Sequence, residues 1–167
     1  AYLYQGDLPA AERRAQALTL DRELLRELLG QEDLRTLLDP AEIAAVEREL
    51  QGLAEERRAS SAGALHDLLR RIGDLALGEI AARCARDPAP LLAELAETGR
   101  ALELELAGEI RYAAAEDAAL YRDALGARLP GDLPAALQAA RSDALAELVL
   151  RFARSRAPFR AAELAGR

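Results

Sequence analysis

The segment ALELELAGEIRYA, residues 101–113, constrains this chain most, because it alternates where its surroundings repeat with helical period. Leu102, Leu104 and Leu106 fall on one face of a strand and Glu103 and Glu105 on the other, the period-two pattern of a half-buried strand. Ile110 and Tyr112 are expected to continue the apolar face after a turn. A two-residue turn would set Glu105 opposite Ile110. Side-chain parity therefore favours a three-residue loop over Ala107 to Glu109, pairing Leu106 with Ile110 and Glu105 with Arg111.

Three short helices precede this hairpin. Leu65, Leu68, Leu69 and Ile72 mark one, ended by Gly73; GEIAARC, residues 78–84, marks the second; Asp87 and Pro88 open a third that carries Leu91, Leu92 and Leu95 to Gly99. Three helices and a hairpin, with the second and third forming a helix-turn-helix, is the order of a winged-helix domain. The hairpin is the wing. A further helix, AAEDAALYRDALG, ends at Gly126 behind it.

The flanks are helical as well. Pro9 starts one helix, Asp21 caps a second that runs to Gly30, and Asp39, Pro40 and Glu42 occupy cap, N1 and N3 of a third, whose stripe is Ile43, Val46, Leu50 and Leu53. EERRASSAG, residues 55–63, reads as a polar hinge. The pattern Leu65, Leu68, Leu69, Ile72 recurs 80 residues later as Leu145, Leu148, Val149, Phe152, and GEIAAR recurs as AELAGR at 162–167. The expected fold is thus mainly α. It comprises a helical segment over 1–59, a winged helix over 60–126, a linker over 127–141, and the first two helices of a second winged helix over 142–167. The chain opens on Ala1 without a methionine and is expected to be a piece of something longer.

Composition excludes chemistry. All 22 basic residues are arginine, which removes the phosphate-binding lysine of a Walker A loop, Schiff-base enzymes and a Ser-Lys dyad. One Cys and one His cannot supply the three or four N/S ligands of a zinc site or an internal disulfide. A reducing, cytoplasmic setting is expected. Cys84 reads as a small core hydrophobe, and His66 as lying on a polar helix flank. Apolar stretches fall short of the roughly 20 residues that cross a bilayer, so no membrane partner is expected.

The formal net charge is −7, unevenly placed. RFARSRAPFR, residues 151–160, holds four arginines and no acid, and is the stretch whose composition suggests phosphate. Arg151, Arg154, Arg156 and Arg160 are therefore candidate nucleic-acid contacts, with Arg13 and Arg14 near the N-terminus and Arg111 on the wing. Ordinary pairing on helix surfaces is the alternative, for instance Glu147 with Arg151 at i,i+4. The third helix carries Asp87, Glu94 and Glu97 and a basic residue only at its far end, Arg100. Carboxylates there would meet phosphates, so this helix is expected to pack or position rather than read bases.

The stretch YLYQGDLPAAERRAQALTLDRELLRELLGQEDLRTLLDP, residues 2–40, resembles the DEAD/H-associated region that follows the two motor domains in large helicase-related (Lhr) superfamily 2 helicases. The likeness continues through LHDLLRRIGDLALGEIAARC and IRYAAAEDAALYRDALG, and LAELVLRFARSRAPFRAAELAGR resembles the opening of that family's winged-helix array. The resemblance implies a parent protein that hydrolyses ATP with magnesium, moves 3′-to-5′ on single-stranded DNA and unwinds duplexes, RNA:DNA hybrids included, in DNA repair. It implies docking on motor domains of the same chain, and Arg13, Arg14 and Arg111 as contacts. Tyr112 stands where the family often has a tryptophan. No G-x-x-x-x-G-K-[ST] or D-E-x-H is present, so no cofactor and no catalysis are expected of this segment alone. Other classes are a winged-helix transcription regulator, which would need a basic recognition helix, and a protein-interaction module.

Overall fold

A computed structural model describes residues 39–166. The chain divides into two compact units, Ala1–Ile43 and Ala44–Arg167. The helices expected at Pro9 and Asp21, and Arg13 and Arg14, lie outside the described residues. The division falls after Ile43 and not near residue 60, and the segment 127–141 lies within the second unit.

The first described helix, α1 (Pro40–Leu50), is capped by Asp39, whose carboxylate accepts from the Ala41 amide at 2.8 Å. It ends one turn earlier than the apolar stripe implied. Gly52 takes φ +67°, the Gly52 amide donates to the Glu49 carbonyl and the Leu53 amide to the Arg48 carbonyl, and these two bonds close a Schellman cap. A Cβ on Gly52 would also stand 2.8 Å from Leu68 Cδ1, so a side chain there would strain the backbone and push Leu68 aside.

Helix α2 (Ala62–Ile72) is capped by the Ser61 hydroxyl, which accepts from the Ala64 amide at 3.2 Å. Strand β1 (Leu75–Ala76), helix α3 (Leu77–Ala82) and helix α4 (Ala89–Glu97) follow, then strands β2 (Ala101–Leu106) and β3 (Glu109–Ala114). The strands form one antiparallel sheet in the order β1-β3-β2. The winged-helix topology expected from sequence is present, with a short third strand that the sequence reading left out: Leu75 pairs with Tyr112 and Ala76 with Arg111.

The wing's register differs from the parity argument. Leu106 pairs with Glu109, Glu105 with Ile110 and Leu104 with Arg111, leaving a two-residue turn in which Ala107 and Gly108 both take positive φ, 51° and 81°. That is the mirror-image turn whose twist suits a hairpin. Parity misled because β3 is covered on both faces. Tyr112 and Ala114 face one core, with Leu65, Leu69, Leu75, Ile80 and Leu95. Leu102, Leu104 and Ala113 face a second core, with Ala118 and Tyr121. Ile110, expected inside, is exposed, and Arg111 is buried.

A 3-10 turn (Ala115–Asp117) leads into α5 (Ala118–Leu125), which Gly126 ends in the left-handed conformation. Helices α6 (Ala144–Arg154) and α7 (Ala161–Ala165) occupy the positions of the internal repeat. Helix α6 packs on α5, burying Ala144 and Phe152 while Leu145 stays 58% exposed. Among the described residues no helix is long and apolar enough to cross a membrane.

Candidate nucleic-acid interface

The arginines nominated by sequence separate into two kinds. Arg111 on β3 is buried against three carboxylates: Nε donates to Asp74, Nη2 to Glu79 at 2.7 Å and Nη1 to Glu109 at 2.5 Å. Burial opposes its charge, but Asp74, Glu79 and Glu109 outweigh that and hold the guanidinium above the ordinary arginine value. All three of its nitrogens are engaged, so a phosphate would have to displace a carboxylate. The register turns Arg111 inward onto these carboxylates.

Arg151 is likewise spent. It forms a bidentate pair with Asp117, Nη1 to Oδ2 at 2.6 Å and Nη2 to Oδ1 at 3.1 Å, and not the i,i+4 pair with Glu147, which instead faces Arg141 at 3.7 Å. Arg156 lies 4.2 Å over the Phe152 ring and 3.8 Å from Glu47, a stacked and paired cation. Arg154 and Arg160 are exposed.

The recognition helix α4 shows solvent Ala89, Pro90, Ala93, Glu94, Ala96 and Glu97, while Leu91, Leu92 and Leu95 are buried. No side chain on that face donates to a base edge. Arg100, at its end, donates to His66 Nδ1 at 2.9 Å. Nδ1 is thus an acceptor, and Nε2 carries the proton shared with Glu116 Oε2 at 3.0 Å. His66, expected on a polar flank, is buried between these partners. Tyr112 is half-buried against the first core, and Cys84 is buried, which pushes its thiol pKa up. Among the described residues no group of three His, Cys, Asp or Glu could hold a metal ion.

Sequence reasoning passed over the arginines that the fold leaves open. Arg48, Arg57, Arg58 and Arg71 are exposed, and among the described residues none has an ion-pair partner within 4.0 Å. The available signal was their place in the last turn of a helix: Arg48 in α1, Arg71 in α2, Arg57 in the 3-10 turn Glu55–Arg57. Elements far apart in sequence meet there, through contacts that no local pattern encodes. Gln51 joins them: Arg83 Nη2 donates to Gln51 Oε1 at 2.7 Å, and Gln51 Nε2 donates to the Ser155 carbonyl at 2.6 Å.

The comparisons agree with this architecture. A family profile for the winged-helix domain of large helicase-related proteins matches residues 36–140. A relative from Mycolicibacterium smegmatis (strain ATCC 700084 / mc(2)155), named Lhr helicase/ probable uracil glycosylase, is 46% identical over 100% of the chain and 11% of its own length. One from Escherichia coli (strain K12), named Lhr helicase/uracil glycosylase, is 44% identical over 98% of the chain and 11% of its own length. The chain therefore spans about a ninth of those relatives, and it belongs to the large helicase-related family, whose winged-helix domain it carries.

Proposed function

We propose that this chain is an accessory segment of an ATP-dependent DNA helicase, holding single-stranded DNA or the strands of an RNA:DNA hybrid by their phosphates while docking on motor domains of the same protein. The observation that carries this is the exposed face of α4, built of Ala, Pro and Glu where a groove reader needs Arg, Asn or Gln. A domain with the right topology and the wrong recognition helix positions nucleic acid and does not read it. This also sets aside a sequence-specific transcription regulator. The wider setting, 3′-to-5′ unwinding during DNA repair in the cytoplasm, is what kinship with helicases supports.

ATP and its magnesium belong in this reading to the motor domains. The residues described here do not fit them. The glycines with positive φ, Gly52, Gly73, Gly99, Gly108 and Gly126, stand singly in separate turns and form no run of amides around a phosphate.

Titrating labelled single strands and a panel of duplexes at two salt concentrations tests the reading. Salt-sensitive binding to single strands, indifferent to sequence, is expected. A tight complex with one duplex sequence, little changed by salt, would overturn it.

A further inference from the structure

The arginines of this acidic chain are sorted by the fold. Arg70, Arg111, Arg122, Arg141, Arg151 and Arg156 face carboxylates within 4.0 Å. Arg48, Arg57, Arg58, Arg71 and Arg154, together with Arg86, Arg128 and Arg160, are exposed and have none among the described residues. The first five sit on four separate elements whose backbones are tied together near Gln51 and Gly52. A Cβ placed on Gly52 would lie 3.5 Å from Arg71 Nη2 and 3.9 Å from the Arg57 carbonyl. Gln51, one turn beyond Arg48 on α1, is bonded at 2.6 Å to the carbonyl of Ser155, the residue after Arg154. Arg58 adjoins Ala59, whose amide donates to the Arg83 carbonyl at 2.8 Å and so holds this turn against the helix-turn-helix.

We infer that Arg48, Arg57, Arg58, Arg71 and Arg154 form one phosphate-binding surface for a nucleic-acid backbone, on a different set of residues from the recognition helix and the wing. The proposal rests on the reading of this chain as a nucleic-acid-holding accessory domain, and names where that contact is made. Compensation of helix dipoles accounts for an arginine at each helix end. It does not account for several such ends being tied together by backbone contacts while Glu49, Glu55 and Glu56, close in sequence, stay beyond 4.0 Å of every guanidinium among them. Arginine's delocalised charge and fork of donors suit phosphate oxygens. A surface of this kind holds a strand irrespective of base, as the acidic recognition helix requires.

The test compares two doubles of equal charge change in the 167-residue chain: Arg57→Gln with Arg71→Gln on the surface, and Arg128→Gln with Arg141→Gln, exposed arginines elsewhere. Binding of a labelled oligothymidylate is read by fluorescence anisotropy across a salt series. The surface double is expected to weaken binding about tenfold at low salt and to lower the salt slope by about 1.4, or 0.7 for each lost contact. The control double should stay within about twofold, and Arg57→Lys with Arg71→Lys should keep most of the affinity, because a point charge still holds a phosphate. Equal weakening by both glutamine doubles, or none by the surface double, overturns the surface while leaving the domain a nucleic-acid binder. An unaltered chain that binds no strand at any salt overturns both.

Discussion

Arg151 on α6 and Asp117 at the entrance to α5 meet in a bidentate pair at 2.6 and 3.1 Å, with side chains only 14% and 5% exposed. The pair fastens the first helix of the second repeat to the first winged helix. Burial opposes the charge on Arg151, and Asp117 restores it, holding the guanidinium above its ordinary value. Together with the bond from Gln51 to Ser155, it ties α6 to the rest of the unit Ala44–Arg167.

Removing one partner of that pair strands the other. Asp117→Ala leaves a buried guanidinium without its counter-charge and should cost about 3 to 5 kcal/mol. Urea denaturation followed by circular dichroism reads it. A loss under about 1 kcal/mol would show that solvent reaches the pair.

Arg111 should behave as a structural residue. Replacing it by Gln leaves Asp74, Glu79 and Glu109 facing one another, and the expected result is a destabilisation of about 3 kcal/mol with single-strand affinity per folded molecule unchanged. Thermal melting combined with anisotropy separates these, and weakened binding with intact stability would put the wing arginine back among the contacts.

Tyr121 is buried, and its hydroxyl accepts from the Asp74 amide at 2.7 Å. Burial first, then the nearby carboxylates, push its pKa far up, so it stays neutral. Tyr121→Phe leaves a buried amide without an acceptor and should cost about 1 to 3 kcal/mol. Amide hydrogen exchange at Asp74 should speed up in the variant, and unchanged exchange would contradict the bond.

Glu116 links stability to acid. Burial works to raise its pKa, but its own backbone amide, the bond donated by His66 and the charge of Arg70 outweigh that and hold it below the usual glutamate range. A carboxyl depressed on folding stabilises fully above its unfolded pKa, and the stabilisation fades as pH falls through the folded value. Wild type and Glu116→Gln should therefore differ in Tm at neutral pH and converge below about pH 4. A gap that stays constant down to pH 3 would argue against the linkage.

Glu94→Gln with Glu97→Gln on α4 should leave single-strand binding unchanged or slightly stronger, since the recognition helix lies away from the proposed contact. Loss of binding in this double, read by anisotropy, would mean that α4 enters a groove despite its charge.

The sequence by itself determined the winged-helix order, because helical periodicity, the Asp39 and Asp87 start signals, and the Leu-Glu alternation of the wing are local patterns with local physical causes. It also determined that α4 presents Glu94 and Glu97 on the face opposite its leucines. Only the tertiary structure decided the register of the wing, because a strand covered on both faces gives no parity signal and the Ala107-Gly108 turn set the pairing. It also decided which arginines are spent and which are open. Arg151 and Arg111 read as surface cations from their neighbours in sequence, yet Asp117 lies 34 residues from the first and Asp74 37 from the second. The charge left over for a ligand depends on such long-range pairs, and these form only when the chain has folded.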